Sequence, residues 1–190
     1  MQIIFVRHGE SKANALNGNE YKMFTGQWDC ELTAHGTEQA KKLQNNSIFY
    51  GVDAYFSSDL MRAQKTAKHF ADKPIILDER IRERSLGDFD GKLVEEIQND
   101  KRYNKYFGES EYVNFRHDFA VKAPNGENYS DVCQRVSSFW NESVDKGYQK
   151  IVIVSHMCTI RCLMKVIQGL SDEETLKIKV PKCEPIIIEV

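Results

Sequence analysis

No apolar run in this 190-residue chain approaches the ~20 residues of a membrane span, and the opening, MQIIFVRHGES, lacks the basic region and small-residue cleavage site of an export signal. Neither sign of charge is in excess: 26 Lys+Arg stand against 28 Asp+Glu, a formal charge of −2. That balance calls for neither nucleic acid nor an anionic membrane as a partner. The cysteines, at 30, 133, 158, 162 and 183, are odd in number and contain no CxxC pair, which fits neither a disulfide framework nor a zinc ribbon. They read as reduced thiols, and a cytoplasmic protein is expected. Cys158 and Cys162 fall on one helical face, and two soft ligands without two more nearby read as core packing rather than a metal site. Low-complexity tracts, internal repeats and linkers are missing as well, so no domain boundary is drawn.

What the chain does have is the length for one compact domain, with 41% hydrophobic and 28% charged residues, and a regular alternation of elements. Short apolar runs at 3–6 (IIFV), 54–57 (AYFS), 74–77 (PIIL), 151–155 (IVIVS) and 186–190 (IIIEV) read as strands. Between them, helical periodicity covers 33–46, 59–71, 128–146 and 159–169, with Asp59 as an N-cap and Gly147 as a stop. The runs at 3–6 and 151–155 are apolar at every position, the pattern of parallel strands covered on both faces. The expected fold is a three-layer α/β/α sandwich with a mostly parallel central sheet. Ligands of such sheets collect beyond the carboxyl ends of the strands, where RHGES (7–11) and SHMCTIR (155–161) begin. The stretch 101–122 breaks the pattern, mixing Tyr103, Tyr106, Phe107, Tyr112, Phe115 and Phe119 with Lys101, Arg102, Lys105 and Arg116, and reads as an inserted cap over a cleft.

The ordered set RHGESKAN (7–14), LTAHGTEQA (32–40), SSDLMRAQKTA (57–67), RERSLGDFDG (82–91), PNGENYSDV (124–132) and VSHMCTIR (154–161) resembles the histidine phosphatase superfamily, the phosphoglycerate-mutase-like proteins, across nearly the whole chain. The resemblance implies a single domain over 1–190 with the cap at about 101–122.

The chemistry also follows from the residues. A neutral imidazole attacks a phosphoryl group well, because a phosphohistidine divides one hard displacement into two easier ones. His8 is the expected nucleophile, and its other ring nitrogen must be tied to an acceptor, with the Gly9 carbonyl one choice. A transferring phosphoryl group carries charge on three equatorial oxygens, which planar guanidiniums match in pairs. Arg7 and Arg62 are placed there, although Arg62 taken alone could be a surface cation paired with Asp59. The resemblance places His156 opposite His8, charged and donating to the phosphate. Family members usually have glycine next, whereas this chain has Met157, whose amide can still reach the phosphate while its side chain narrows or greases the pocket.

The leaving alkoxide needs a proton, and Glu83 is the expected donor with Glu79 as competitor. If the segment is extended, Ile81, Glu83 and Ser85 share one side, and Arg80, Arg82 and Arg84 the other. By resemblance Asn14 and the amides of Thr25 and Gly26 contact phosphate, and Ser11 fills a position the family gives to Thr or Ser; each could equally be a capping or turn residue. His35, His69 and His117 read as surface or insert histidines, of which His117 is the one placed to touch substrate.

No His, Asp, Glu or Cys group has metal-ligand spacing, so a reaction without metal or cofactor is expected. The reading is a phosphomonoester hydrolase for a small phosphorylated metabolite with some apolar or ring character. About forty residues separate Gly91 from the helix near Asn128, short for a cofactor-dependent mutase, which favours an open cleft and hydrolysis. The alternatives are a phosphoglycerate-mutase-type phosphotransferase and a non-catalytic module that binds a phosphorylated ligand or partner.

Overall fold

Five strands occupy the positions that the apolar runs mark. In the computed structural model, which describes residues 1–18, 20, 22–144 and 147–190, they are β1 (Gln2–Arg7), β2 (Ala54–Ser57), β3 (Ile75–Leu77), β4 (Lys150–Ser155) and β5 (Ile186–Glu189). The sheet order is β3-β2-β4-β1-β5. All pairs are parallel except β1 with β5. The three inner strands are the unbroken apolar runs, and residues 3–6 and 151–154 are fully buried. The two edge strands leave Ile76, Leu77 and Ile187 exposed, as one-sided cover allows.

Helices α1 (Lys12–Asn17), α2 (Ala34–Lys41), α3 (Met61–Ala67), α4 (Val94–Gln98), α5 (Lys105–Gly108), α6 (Tyr129–Ser143), α7 (Met157–Gln168) and α8 (Asp172–Lys177) complete the chain. Strand alternation divides the core in two. Ile3, Phe5, Ile151 and Ile153 pack against Val132, Val136, Phe139, Ile160 and Leu163 of α6 and α7. Ile4, Val6, Val152 and Val154 pack against Ala40 of α2 and Ala63 and Ala67 of α3 on the other face. Each such aliphatic side chain, buried from full exposure, contributes about 1.5–3 kcal/mol. Among the described residues no helix is long and apolar enough to cross a membrane.

Several local expectations are corrected. The α3 helix is shorter than 59–71, and its N-cap is Leu60 without a side-chain bond. Asp59 is occupied instead by a two-pronged ion pair with Arg82. The α6 helix ends at Ser143, and the expected end at Lys146 lies outside the described residues. The aromatic stretch forms a separate small core: Tyr103, Tyr106 and Phe115 are buried against Phe24, Leu86 and Phe89. Ring edges meet ring faces there, with Phe89 5.2 Å from Tyr106 and 5.8 Å from Phe115. Those three rings hold the segment together and are not part of the cavity wall.

Candidate active site

Parallel pairing of β1 with β4 in the register Arg7↔Ser155 makes His8 and His156 neighbours where both strands end. The His8 amide donates to the Ser155 carbonyl at 3.1 Å. The two rings stand 5.0 Å apart between centroids, tilted by 58°. The glycine after His8 is required by backbone contact rather than by φ. A Cβ on Gly9 would lie 2.4 Å from the Gly36 carbonyl oxygen, and one on Gly36 only 2.0 Å from that of Glu10. This approach of RHG to AHG leaves room for no other residue type at either position.

His8 Nδ1 lies 2.7 Å from the Gly9 carbonyl oxygen, which accepts only from a protonated nitrogen. Nε2 therefore carries the lone pair. His156 Nε2 is 2.9 Å from Ser58 Oγ, beyond the end of β2, while its Nδ1 is buried without a partner. Burial, with the Arg62 charge adding to it, pushes both imidazoles well below the usual histidine pKa; the other guanidinium, Arg7, acts on both as well. The expectation of a charged His156 concerns the phosphate-bound protein; without a ligand, burial and the neighbouring Arg62 charge favour the neutral ring.

Arg62, only 1% exposed, donates Nη1 to the Trp28 carbonyl at 2.8 Å and Nη2 to the Gly26 carbonyl at 2.9 Å. Arg7 donates Nη1 to the Val180 carbonyl at 2.9 Å, and its Nε is buried without a partner among the described residues. Neither guanidinium forms an ion pair among the described residues, whereas Arg80, Arg82 and Arg135 are each paired to carboxylates. A buried cation such as Arg62 is ordinarily paired, and Arg7 beside it is half-buried. These two carry their charge toward a cavity of about 290 Å³ that His8 also lines.

The same cavity is lined by Asn14, Thr25, Gly26, Glu83 and Met157. Gly26 has φ +45°, and a Cβ there would meet Asp90 Oδ1 at 1.6 Å. Met157 opens α7, whose first-turn amides have no intrahelical acceptor, and Met157 and Cys158 line the cavity at that helix start. Ser11 is placed elsewhere: it is fully buried, caps α1 by accepting from the Asn14 amide at 3.2 Å, and is not part of the cavity wall. Glu79 is exposed and turned toward Arg82, so of the two candidate acids only Glu83 reaches the cavity.

Expected alternation along 80–85 fails, because residues 79–81 form a 3₁₀ turn. Arg84 lines the cavity together with Glu83, and its guanidinium donates to the carbonyls of Phe115 and Arg116 at 3.0 and 2.6 Å. That strut ties the aromatic segment down, bringing Arg116 and His117 onto the cavity wall. Sequence reasoning missed Arg84, and it also missed a clamp behind Glu83. Arg135, paired with Glu127 at 2.7 Å, donates to the Arg80 carbonyl at 2.5 Å and to the Glu83 carbonyl at 3.2 Å. Glu127 also accepts from the Ser85 amide at 2.8 Å. The available signal was the acid of PNGEN eight residues before a basic helix position. Among the described residues no group of three or more His, Cys, Asp or Glu could hold a metal ion.

The family model of the histidine phosphatase superfamily (branch 1) matches residues 3–190, which take in the sheet, both imidazoles and both guanidiniums; the chain belongs to that family. The 2,3-bisphosphoglycerate-dependent phosphoglycerate mutase of Bartonella quintana (strain Toulouse) is 30% identical over 97% of this chain and 90% of that protein. The crystal structure of the alpha-ribazole phosphatase from Shigella flexneri superposes with a TM-score of 0.83 at 26% identity, covering 100% of this chain and 91% of that one. The mycobacterial glucosyl-3-phosphoglycerate phosphatase, at 22% identity and a TM-score of 0.78 over 95% of this chain and 85% of that one, shares the fold. Relatives thus include both mutases and phosphatases, and this chain is an enzyme of their family.

Proposed function

We propose that the protein is a metal-independent phosphomonoester hydrolase of the cytoplasm, working through a phosphohistidine on small phosphorylated metabolites. The observation that carries the reading is a pair of guanidiniums, Arg62 buried and Arg7 half-buried, that have no carboxylate partner among the described residues and line one cavity with an imidazole whose Nδ1 is locked by the Gly9 carbonyl. His8 Nε2 attacks phosphorus. Arg7, Arg62, the His156 Nδ1–H and the Met157 amide take the equatorial oxygens, with Asn14 and the Thr25 and Gly26 amides at the margin. Ser58 orients His156: its hydroxyl donates to Nε2, so that Nδ1 keeps the proton it offers the phosphate. Glu83 protonates the leaving alkoxide and then takes the proton of the water that opens the phosphohistidine.

The buried aromatic core removes the ring-character argument for substrate choice. Arg84, Arg116 and His117 give the cavity a second basic wall, which favours a metabolite carrying another acidic group beside its phosphate. A cavity of about 290 Å³ also suits a small ester better than a protein side chain in its loop. The mutase reading is kept because the curated relatives include mutases.

The test is a survey of phosphomonoesters in EDTA, with phosphoglycerates assayed with and without 2,3-bisphosphoglycerate. Release of inorganic phosphate in EDTA supports hydrolysis without metal. Isomerisation that depends on the bisphosphate, with little free phosphate, makes the protein a mutase, and binding without turnover makes it a binding module. Glu83→Gln is expected to slow esters of poor leaving groups by about 10²- to 10⁴-fold and activated aryl esters far less. Equal slowing of both would remove Glu83 as the acid.

A further inference from the structure

Three of the five cysteines meet at one place, none of them used by the reaction above. Cys158 and Cys162 lie a turn apart on α7, and Cys133 lies on α6, which packs along α7. Cys158 and Cys162 belong to one buried cluster against which Cys133 packs, and the Cys162 thiol interacts with both of the others. Its Sγ also donates to the Tyr129 carbonyl at 3.6 Å. Cys133 sits one helical turn beyond Tyr129 on α6, and helical side chains lean toward the preceding turn, here the turn whose Tyr129 carbonyl accepts from Cys162. The row runs from the cavity wall to the surface: Cys158 and Tyr129 line the cavity, Cys162 is fully buried, and Cys133 is half-buried.

The two ends of this row differ chemically. The hydrogen bond from Cys162 and the nearby Lys165 ammonium favour the Cys133 thiolate against the cost of its burial, while Cys162, deep in the core, is held strongly as the thiol. A half-buried cysteine with thiolate character, beside a second thiol across a helix interface, is the arrangement of an attacking and a resolving cysteine.

We propose that Cys133 and Cys162 are an oxidant-responsive pair that closes to a disulfide across the α6–α7 interface when the protein meets a hydroperoxide, and that the closed form turns over substrate more slowly. Cys133 sulfur attacks the peroxide oxygen, the O–O bond breaks, and an alcohol or water leaves, giving the sulfenic acid. Cys162 sulfur then attacks Cys133 sulfur, the S–O bond breaks, and the hydroxyl departs as water with the Cys162 proton. The sum is two thiols and one hydroperoxide to one disulfide, one alcohol (or water) and one water. Turnover suffers because a disulfide requires the sulfurs ~2.05 Å apart, closer than the thiols now stand. Cys162 also loses its bond to Tyr129, and both helices supply cavity wall: Tyr129 from α6, Met157 and Cys158 from α7.

The experiment treats the whole chain with hydrogen peroxide, blocks free thiols, and reads linked peptides by mass alongside turnover of a phosphomonoester. Wild type and Cys158→Ser should give the 133–162 linked peptide and wild type a several-fold loss of turnover, both reversed by dithiothreitol; Cys133→Ser should show neither. Absence of that linkage overturns the proposal, as does a linkage involving Cys158 instead, an equal loss in Cys133→Ser, or a linked enzyme of unchanged rate. The mass arm does not depend on the phosphatase reading. If no phosphomonoester is hydrolysed, that reading fails while the linked peptide still decides whether the pair exists.

Discussion

Replacing His8 with alanine abolishes phosphomonoester turnover, a loss of about 10⁴-fold or more, and leaves inorganic phosphate bound. The reason is a separation of roles inside one cavity. Arg7, Arg62 and the first turn of α7 supply positive potential that does not pass through His8, so the anion still has its partners. The variant lacks only the atom that forms the covalent bond. Rapid acid-free quench of the wild type with labelled ester should trap a phosphoenzyme stable to base and labile to acid, the signature of phosphorus on nitrogen, and the variant should trap none. Far-ultraviolet circular dichroism and a thermal melt establish that the variant is folded, since the lost ring also packs beside His156. Turnover in His8→Ala within tenfold of wild type, or label retained on its protein, would refute the nucleophile assignment.

The second large effect is on stability in mild acid. Burial first, and then the charge of Arg62, hold both His8 and His156 well below the ordinary histidine pKa. The unfolded chain takes up a proton on each near pH 6.5, and the folded protein does not. Below that pH the unfolded state binds more protons, so the stability contributed by the neutral rings is complete above pH 6.5 and is lost as pH falls. Two protons set a limiting slope of about 2.7 kcal/mol per pH unit. His117, also lowered by burial with Arg84 and Arg116 nearby, adds in the same direction. Urea denaturation between pH 7 and 5.5 checks this. His8→Gln should cut the slope by roughly one proton, and saturating phosphate should flatten it, because a bound dianion makes a protonated ring favourable. A stability curve level across that interval would show that the rings titrate normally.

How much of this was legible beforehand differs by element. The inner strands were plain, because a strand buried on both faces has to be apolar at every position, and 3–6 and 151–154 are. Edge strands β3 and β5 were legible as strands, but the antiparallel sense of β5 was not, since a short apolar run has no direction. His8, Arg7, Arg62, Glu83 and His156 were legible from the ordered motifs they belong to. Their supports were not: Ser58 on His156, Arg135 and Glu127 behind Glu83, and Arg84 beneath Arg116 come from segments up to 98 positions away. Asp59 had a good local reason to cap α3 and a better distant one to pair with Arg82.

By itself the sequence determined which segments enter the sheet, which residue types stand at its carboxyl edge, and which family the chain joins, because burial periodicity and ordered motifs are local properties of the string. Tertiary structure alone decided that both imidazoles are pushed toward the neutral form, that two guanidiniums have no carboxylate partner among the described residues, that the aromatic stretch makes its own core, and that three cysteines pack together. Desolvation and pairing depend on what arrives from elsewhere in the chain, and no window of residues carries that information.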